Sequence, residues 1–394
     1  MSLLPLDEAQ ARLLALAEPL GRETIEIVDA AGRWLANDVI ALRSQPAADL
    51  SAMDGYALRS RDLRPEAIFR LIGESAAGRP FEGAVGDGEA VRIFTGAIVP
   101  AGADMVAMQE DCTRDGDQLI IDVPPAPLRH IRRCGNDFRE GDVLAKAGEK
   151  LTPGRLALAI MAGHGMVHVR RRARVALIST GDELVPPGGA LAHGQIPASN
   201  GPMLRAQLQR AGAIVDDLGI FADDLDTIAQ AICSAAHYDV IITIGGASVG
   251  DLDLVRPALA AAGATLDFLK VALKPGKPLM AGRLGDAVVL GLPGNPVSAF
   301  VTATLFAMPL LRRLMGSATP LPQLETHRLA APMEATGSRT EFVRARLIDA
   351  GVLPLQNQDS AALHALASAD ALIMRPAGSG TAVEGDMVNI VRID

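Results

Sequence analysis

Cysteine is scarce in this 394-residue chain. Cys112, Cys134 and Cys233 are odd in number and widely spaced, which fits neither a disulfide framework nor a zinc site. The seven histidines supply no ligand set either; His164 and His168, four apart beside Gly163 and Gly165, read as structural. Positive charge in excess is also missing. With a formal charge of -9, the basic stripe that binding a phosphate backbone requires is not there, and nucleic acid is not an expected partner. The short run Arg170, Arg171, Arg172, Arg174 reads as a solvated inter-domain linker. The amino terminus lacks a basic segment followed by a continuous apolar core. The longest apolar stretch, 297–311, is short for a bilayer and carries Thr302, Thr304 and Pro309. A cytoplasmic protein with no membrane partner is expected.

Lysine is the most telling shortage. Five lysines stand against 32 arginines, and three of the five, Lys270, Lys274 and Lys277, fall within eight residues. Arg brings a wide planar fork; Lys brings a compact point charge with rotatable donors, suited to a small oxyanion or a phosphate oxygen. If 266–274 is one strand, Lys270 and Lys274 share a face, and the Pro275-Gly276 turn brings Lys277 back toward them. That arrangement makes a three-cation pocket for a polyanion. Solvated charges at a strand end are the ordinary alternative, against which stand the apolar neighbours and the rarity of Lys elsewhere.

What is abundant is apolar: 49% of residues are hydrophobic, enough for several cores, and the length suggests two to four domains of about 100–200 residues. Residues 3–40 read as helical, with Asp7 a candidate cap and Trp34 on a second short amphipathic helix. From 41 to 145 the chain is Gly-rich with short alternating runs typical of small sheets, and a helix resumes at 153–162. Residues 174–316 alternate apolar strands (175–179, 214–220, 240–244, 288–292) with helices (202–211, 224–236, 296–315). That rhythm implies a parallel sheet covered by helices on both faces, with ligands bound beyond the carboxyl ends of its strands. After Pro320 and Pro322 the chain reads as a small β-barrel or sandwich.

Three loops following those strands should meet at one crevice. Thr180-Gly181-Asp182-Glu183-Leu184 has capping-box spacing, but Pro186 and Pro187 make a continuing helix improbable, which frees the carboxylates for Mg²⁺. Gly245-Gly246-Ala247-Ser248-Val249-Gly250 offers a glycine anion nest or a Ser248 cap, and both readings can hold; Asp253 adds a carboxylate. In Leu292-Pro293-Gly294-Asn295-Pro296-Val297-Ser298, Asn295 is an N-cap and Pro296 the first helical residue, a helix start that favours negative charge. Outside this region Asp54 in Ser51-Ala52-Met53-Asp54-Gly55-Tyr56-Ala57, Thr95 and Asp137 are loop polar residues that propensity alone calls ordinary. The combination suits phosphoryl or oxyanion transfer, where positioning and electrostatics carry most of the catalysis.

Taken in order, Ser51-Ala52-Met53-Asp54-Gly55-Tyr56-Ala57, Thr180-Gly181-Asp182-Glu183-Leu184, Gly245-Gly246-Ala247-Ser248-Val249-Gly250, Lys274-Pro275-Gly276-Lys277-Pro278 and Gly291-Leu292-Pro293-Gly294-Asn295-Pro296-Val297-Ser298 resemble the molybdopterin molybdenumtransferases, which include the gephyrin E domain. The resemblance covers nearly the whole chain. It implies a multidomain α/β plus β protein: a discontinuous elongated helical domain (1–50 and 141–172) with a β-rich insert (51–140), a three-layer α/β molybdopterin-binding domain with a parallel-rich sheet (173–316), and a C-terminal β-barrel (317–394). It also implies a homodimer whose sites lie between subunits, with Asp54, Thr95 and Asp137 approaching from the partner chain. The implied reaction is insertion of molybdenum from molybdate into adenylylated molybdopterin, releasing AMP and forming the molybdenum cofactor. A molybdopterin adenylyltransferase and recipient molybdoenzymes are the implied protein partners.

By the same resemblance Asp54, Thr95, Asp137, Glu183, Asp223, Asp253, Lys270 and Lys274 are the implied catalytic residues. Asp182, Glu183 and Asp253 would hold Mg²⁺, with Asp223 or its neighbour Asp224 beside them. Gly245, Gly246, Ser248, Lys277, Pro293, Asn295, Pro296, Ser298 and Arg344 would bind the substrates. Relatives carry a Gln-Ser-Ser-like stretch where this chain reads Gln358-Asp359-Ser360-Ala361. A non-catalytic pterin-binding scaffold of gephyrin type is the alternative function, and a nucleotide-processing hydrolase sharing only the α/β domain a third, disfavoured by the motif at 51–57.

Overall fold

The computed structural model describes residues 3–126, 128–246 and 254–393. The most apolar strands of the chain form its centre. Val240–Ile244 and Ala287–Leu292 are buried at every position, and Arg174–Thr180 at all but its first. With no polar side to turn to water, such strands must lie between helix layers. The sheet runs Ile214–Phe221, Arg174–Thr180, Val240–Ile244, Ala287–Leu292, Pro278–Leu284, Thr265–Lys270. The first four strands are mutually parallel; Pro278–Leu284 runs antiparallel to both of its neighbours, Ala287–Leu292 and Thr265–Lys270. Pro278–Leu284 is a strand that sequence periodicity missed, because it opens on a proline directly after a Pro-Gly turn; proline is tolerated at a strand's first residue, where no ladder donor is required.

Helices cover both faces. On one, Leu177, Ile242 and Leu290 pack with Leu204 and Leu208 of Asn200–Arg210 and with Val297, Val301 and Leu305 of the long helix from Pro296. On the other, Ile178, Ile241 and Val289 pack with Ile228 and Ile232 of Leu225–Ser234 and with Leu259 of Val255–Ala261. The long helix Pro296–Leu314, 19 residues, has the length and apolarity of a membrane span, but 72% of its apolar 18-residue stretch is buried within the protein. It is a core helix.

Elsewhere the expected helicity is corrected. Within residues 3–40 the one α-helix is Leu6–Ala15, with Asp7 in its first turn and no side-chain cap. Its Ala9 and Leu13 join the central core. Arg22–Glu26, with the β-branched Thr24 and Ile25 at its centre, instead pairs antiparallel with Met166–Arg170. Trp34 lies not on a helix but in an extended bridge opposite Lys150. Both cases are tertiary pairing overriding local propensity. Nor is the arginine run simply solvated: Arg171 makes two bonds of 2.7 and 2.6 Å to Asp239, and the Arg174 guanidinium stands 4.9 Å from the Tyr238 ring centroid.

The 41–145 region contains a six-stranded sheet with Glu89–Ile93 and Ile68–Ser75 at its middle and Gly55–Leu58 beside them. The final region is a sheet in the order Leu273–Lys274, Thr340–Ile348, Ala371–Arg375, Met387–Arg392, Glu325–Arg328, with Gly351–Pro354 also on Thr340–Ile348. Its first strand is donated by the α/β region, which corrects the single strand expected over 266–274. Thr265–Lys270 ends in the central sheet, Val271 N bonds to Lys277 O at 3.0 Å, and Leu273–Lys274 then runs parallel to Thr340 and Glu341. Lys270 and Lys274 therefore sit on strands of different sheets.

Candidate functional site

The carboxyl ends of the parallel strands open onto a cavity of about 1020 Å³ lined by Glu183, Asp223, Gly245, Gly246 and the Pro293–Pro296 turn, among others. That volume is at the upper end of ligand pockets, which run to about 1,000 Å³. No helix follows Thr180; the chain forms the short strand Leu184–Val185, as the two following prolines imply, and Glu183 is left on the cavity wall. Gly245 has φ +94°, and an added Cβ would lie 2.7 Å from the Thr180 carbonyl oxygen. Glycine lets the strand turn there against its neighbour. Two buried polar atoms of lining residues, Thr180 Oγ1 and Asn200 Oδ1, have no partner among the described residues, and a ligand carrying hydrogen-bonding groups would satisfy them.

The adjacent aspartates divide their work. Asp224 caps the helix Leu225–Ser234, accepting from Thr227 N at 2.8 Å and Thr227 Oγ1 at 2.6 Å, and those bonds hold its carboxyl below the usual aspartate range. Asp223 lies on the cavity wall. Asp182 is not on that wall; its Oδ1 accepts from Asp223 N at 3.1 Å and ties the two loops together. Asp253 and Ser248 lie outside the described residues. Among the described residues no group of three or more His, Cys, Asp or Glu could hold a metal. The carboxylates of Glu183 and Asp223 are nevertheless hard oxygen donors of the kind Mg²⁺ takes, one or two at a time, while keeping waters for phosphate oxygens.

A second cavity of about 410 Å³ brings together Lys274, Lys277 and Ser298 with Arg339, Glu341, Gln358 and Ser360. Pro278 lines both spaces. Between them Asn295 Nδ2 donates to Ser360 Oγ at 3.0 Å and Val297 N to Ser360 O at 3.0 Å. Asn295 thus occupies the N-cap position of its helix without a side-chain cap bond, joining the central region to the C-terminal sheet instead. Lys274 Nζ donates to Glu341 Oε1 at 3.1 Å. Two of the three clustered lysines share this space; Lys270 lines neither cavity.

Arg344 lines neither cavity too. It is 1% exposed, and its guanidinium donates to Asp359 O at 2.9 Å, Asn357 O at 3.1 Å and Ala362 O at 3.4 Å. It organises the 357–362 loop, which presents Ser360 to the site; burial lowers its pKa, partly opposed by Asp359. Arg339 and Glu341 were missed in the sequence because only the parallel pairing of Leu273–Lys274 with Thr340 and Glu341 brings them to the lysines.

In the β-rich region Asp54 and Thr95 meet: Asp54 Oδ1 accepts from Thr95 N at 2.7 Å and Thr95 Oγ1 at 2.8 Å. The Thr95 amide and then its hydroxyl hold the Asp54 carboxyl below the ordinary aspartate range, aided by Arg92. Asp137 is exposed. Within one chain none of these three lines either cavity.

An open, parallel-rich sheet whose strand ends meet a polar cavity, beside a smaller space with fixed ammonium groups, defines an α/β protein suited to holding a large polar ligand next to a small anion. Three family models cover the chain: MoeA N-terminal region (domain I and II) over residues 4–163, probable molybdopterin binding domain over 176–313, and MoeA C-terminal region (domain IV) over 326–393. The molybdopterin molybdenumtransferase of Haemophilus influenzae is 40% identical over 317 residues, 80% of this chain and 78% of its own length. That of Staphylococcus aureus strain COL is 33% identical over 398 residues, 98% of this chain and 95% of its own. The solved structure of the molybdopterin biosynthesis MoeA protein of Pyrococcus horikoshii OT3 superposes with a TM-score of 0.87 at 26% identity, covering 100% of both chains. The chain belongs to the molybdopterin molybdenumtransferase family, transferases of molybdenum cofactor biosynthesis.

Proposed function

We propose that the protein inserts molybdenum from molybdate into adenylylated molybdopterin, releasing AMP and forming the molybdenum cofactor. The observation that carries this reading is the pairing of cavities: a roomy one with two carboxylates, glycine turns and unsatisfied buried polar atoms, joined through Pro278 to a small one with Lys274 and Lys277. The pterin and its pyrophosphate suit the first, with Thr180 and Asn200 meeting the ligand's polar groups. Glu183 and Asp223 would hold Mg²⁺, which when bound there neutralises phosphate charge. Molybdate suits the second, where Lys274, Lys277 and Arg339 outnumber Glu341. A dianion approaching an already anionic ligand is opposed by Coulomb repulsion, and fixed cations in a sheltered space offset it without reorganising.

The working unit in this reading is a homodimer in which the partner's Asp54, Thr95 and Asp137 complete each site. Supporting it, a group of apolar side chains is exposed: Ile40 at 46%, Leu42 at 58%, Val143 at 52% and Met161 at 40%. They are neighbours, since Ile40 pairs with Val143 and Leu42 N bonds to Ala162 O, and such a contiguous patch marks a contact surface.

Incubation of the purified protein with adenylylated molybdopterin, Mg²⁺ and molybdate should release AMP and transfer molybdenum; neither product forming would leave only a scaffold that binds pterin. Asp54→Ala and Glu183→Ala should each be inactive, and mixed dimers of the two should regain part of the activity. No recovery in verified mixed dimers would show that the sites are not shared.

A further inference from the structure

We propose that a cationic cleft between the amino-terminal region and the central sheet is a second ligand site, taking a tetrahedral oxyanion, either free or as the phosphate of a small phosphomonoester. It is separate from both cavities described above and independent of their reading. A space of about 200 Å³ is lined by Arg33, Trp34, Lys150, Arg170, Arg172 and Arg210, among others, and none of the described residues that line it is acidic. In a chain of net charge -9, five cationic side chains around one small space is a concentration of charge that composition does not explain.

Local bonds account for some of that charge. Arg33 pairs with Glu23 and donates to Arg170 O at 2.7 Å, Arg170 Nη1 donates to Leu20 O at 2.8 Å, and Arg210 has a contact of its own. Lys150 and Arg172 pair with no carboxylate among the described residues. Lys150 Nζ stands 5.9 Å from the Trp34 ring centroid, held there by the bridge between the two backbones. The Trp34 indole N–H is buried and has no acceptor among the described residues. An indole can only donate, and a buried donor left unmade carries its full desolvation cost. An oxyanion beside Lys150 supplies the missing acceptor.

The neighbouring space supports the same assignment. A cavity of about 460 Å³ shares Trp34, Lys150 and Arg210 with the first and adds Gln207, Phe300, Met308, Leu321 and Arg312. Gln207 Oε1 is buried without a donor among the described residues. Burial holds the Arg312 guanidinium below its ordinary range, and its bond to Pro320 O is a long 3.4 Å. Among the described residues the one carboxylate lining it, Glu325, is bound by Arg392 at 3.0 Å and by His327 at 3.2 Å. A phosphate seated at Lys150 and Trp34 leaves this partly apolar space for the organic remainder of a phosphomonoester.

Trp34 is the sole tryptophan, so its emission reports this cleft alone. The full-length protein is titrated with inorganic phosphate and, separately, with adenosine monophosphate at constant ionic strength. A saturable change in emission is expected, with phosphate alone sufficing if the ligand is a free oxyanion and only the nucleotide sufficing if the organic part is needed. Lys150→Met should raise the Kd about tenfold, the loss of one charge-assisted contact, while Lys274→Ala should leave the response as it is. The proposal fails if neither probe gives saturation, if chloride reproduces the change, or if Lys274→Ala rather than Lys150→Met weakens it. Should Lys150→Met prove misfolded by circular dichroism, Arg172→Gln on the exposed rim takes its place, and an unaltered Kd in that variant overturns the assignment.

Discussion

Replacing Lys274 by alanine separates a functional ammonium from a structural one. Its side chain is 52% exposed and its partner Glu341 21% exposed, with 3.1 Å between Nζ and Oε1. An ion pair so open to solvent contributes about 0–1 kcal/mol to stability, so the substitution should leave the unfolding free energy within about 1 kcal/mol. If the same ammonium bonds a molybdate oxygen, a hydrogen bond to a charged group contributes about 1.5–3 kcal/mol, and kcat/KM for molybdate should fall roughly ten- to a hundred-fold. Glu341 competes with the anion for this lysine. Glu341→Gln should therefore lower the KM for molybdate, by up to roughly fivefold if the whole pair energy is released. Lys274→Arg should restore little, since a planar fork does not reproduce a point charge on a short turn. The assay is AMP release against molybdate concentration, with a denaturant titration of each variant alongside. Wild-type kcat/KM in Lys274→Ala, or a raised KM in Glu341→Gln, would refute the reasoning.

Thr95→Val removes the hydroxyl donor to Asp54 while keeping the amide one. Because the folded-state pKa of Asp54 is depressed, the stabilisation of its carboxylate is present above the ordinary aspartate value and lost as pH falls through the lower, folded one. The variant should lose activity at a higher pH than wild type on the acid side, and coincident acid limbs would remove Thr95 from that role. Gly55→Ala places a Cβ 1.8 Å from the Ala107 carbonyl oxygen in the adjacent strand. Backbone cannot yield as a side chain can, so a loss of about 1–3 kcal/mol or more is expected; a denaturation midpoint equal to wild type would contradict the packing. Arg344→Met leaves the carbonyls of Asn357 and Asp359 without their donor and should cost about 1–3 kcal/mol for each acceptor left buried and unpaired, read as early unfolding of the C-terminal sheet. A fully stable variant with reduced molybdate affinity would instead make Arg344 an anion ligand.

The α/β centre was legible because its strands bury both faces, so that Val240–Ile244 and Ala287–Leu292 had no means of being anything but apolar runs. The loops that follow them were legible for a related reason: prolines at 186 and 187 forbid a helix, and Pro296 starts one, whatever surrounds them. Pro278–Leu284 was hidden because proline and glycine, the punctuation used to find strand ends, stand at its own beginning.

The site was legible in its types of residue more than in its geometry. Asp223 and Asp224 are equivalent in sequence, yet one faces the cavity and the other caps a helix. Lys270 and Lys274 look like one face of one strand, yet the chain crosses between sheets at Val271 and Ala272. Sequence by itself determined which segments must be buried and which loops must turn, because hydrophobic period and the restricted dihedrals of proline act within a few residues. Tertiary structure alone decided which charges meet. Whether Lys274 faces Glu341 and Arg339, or Trp34 faces Lys150, depends on pairings between strands distant in the chain, and those are set by the packing of the whole molecule.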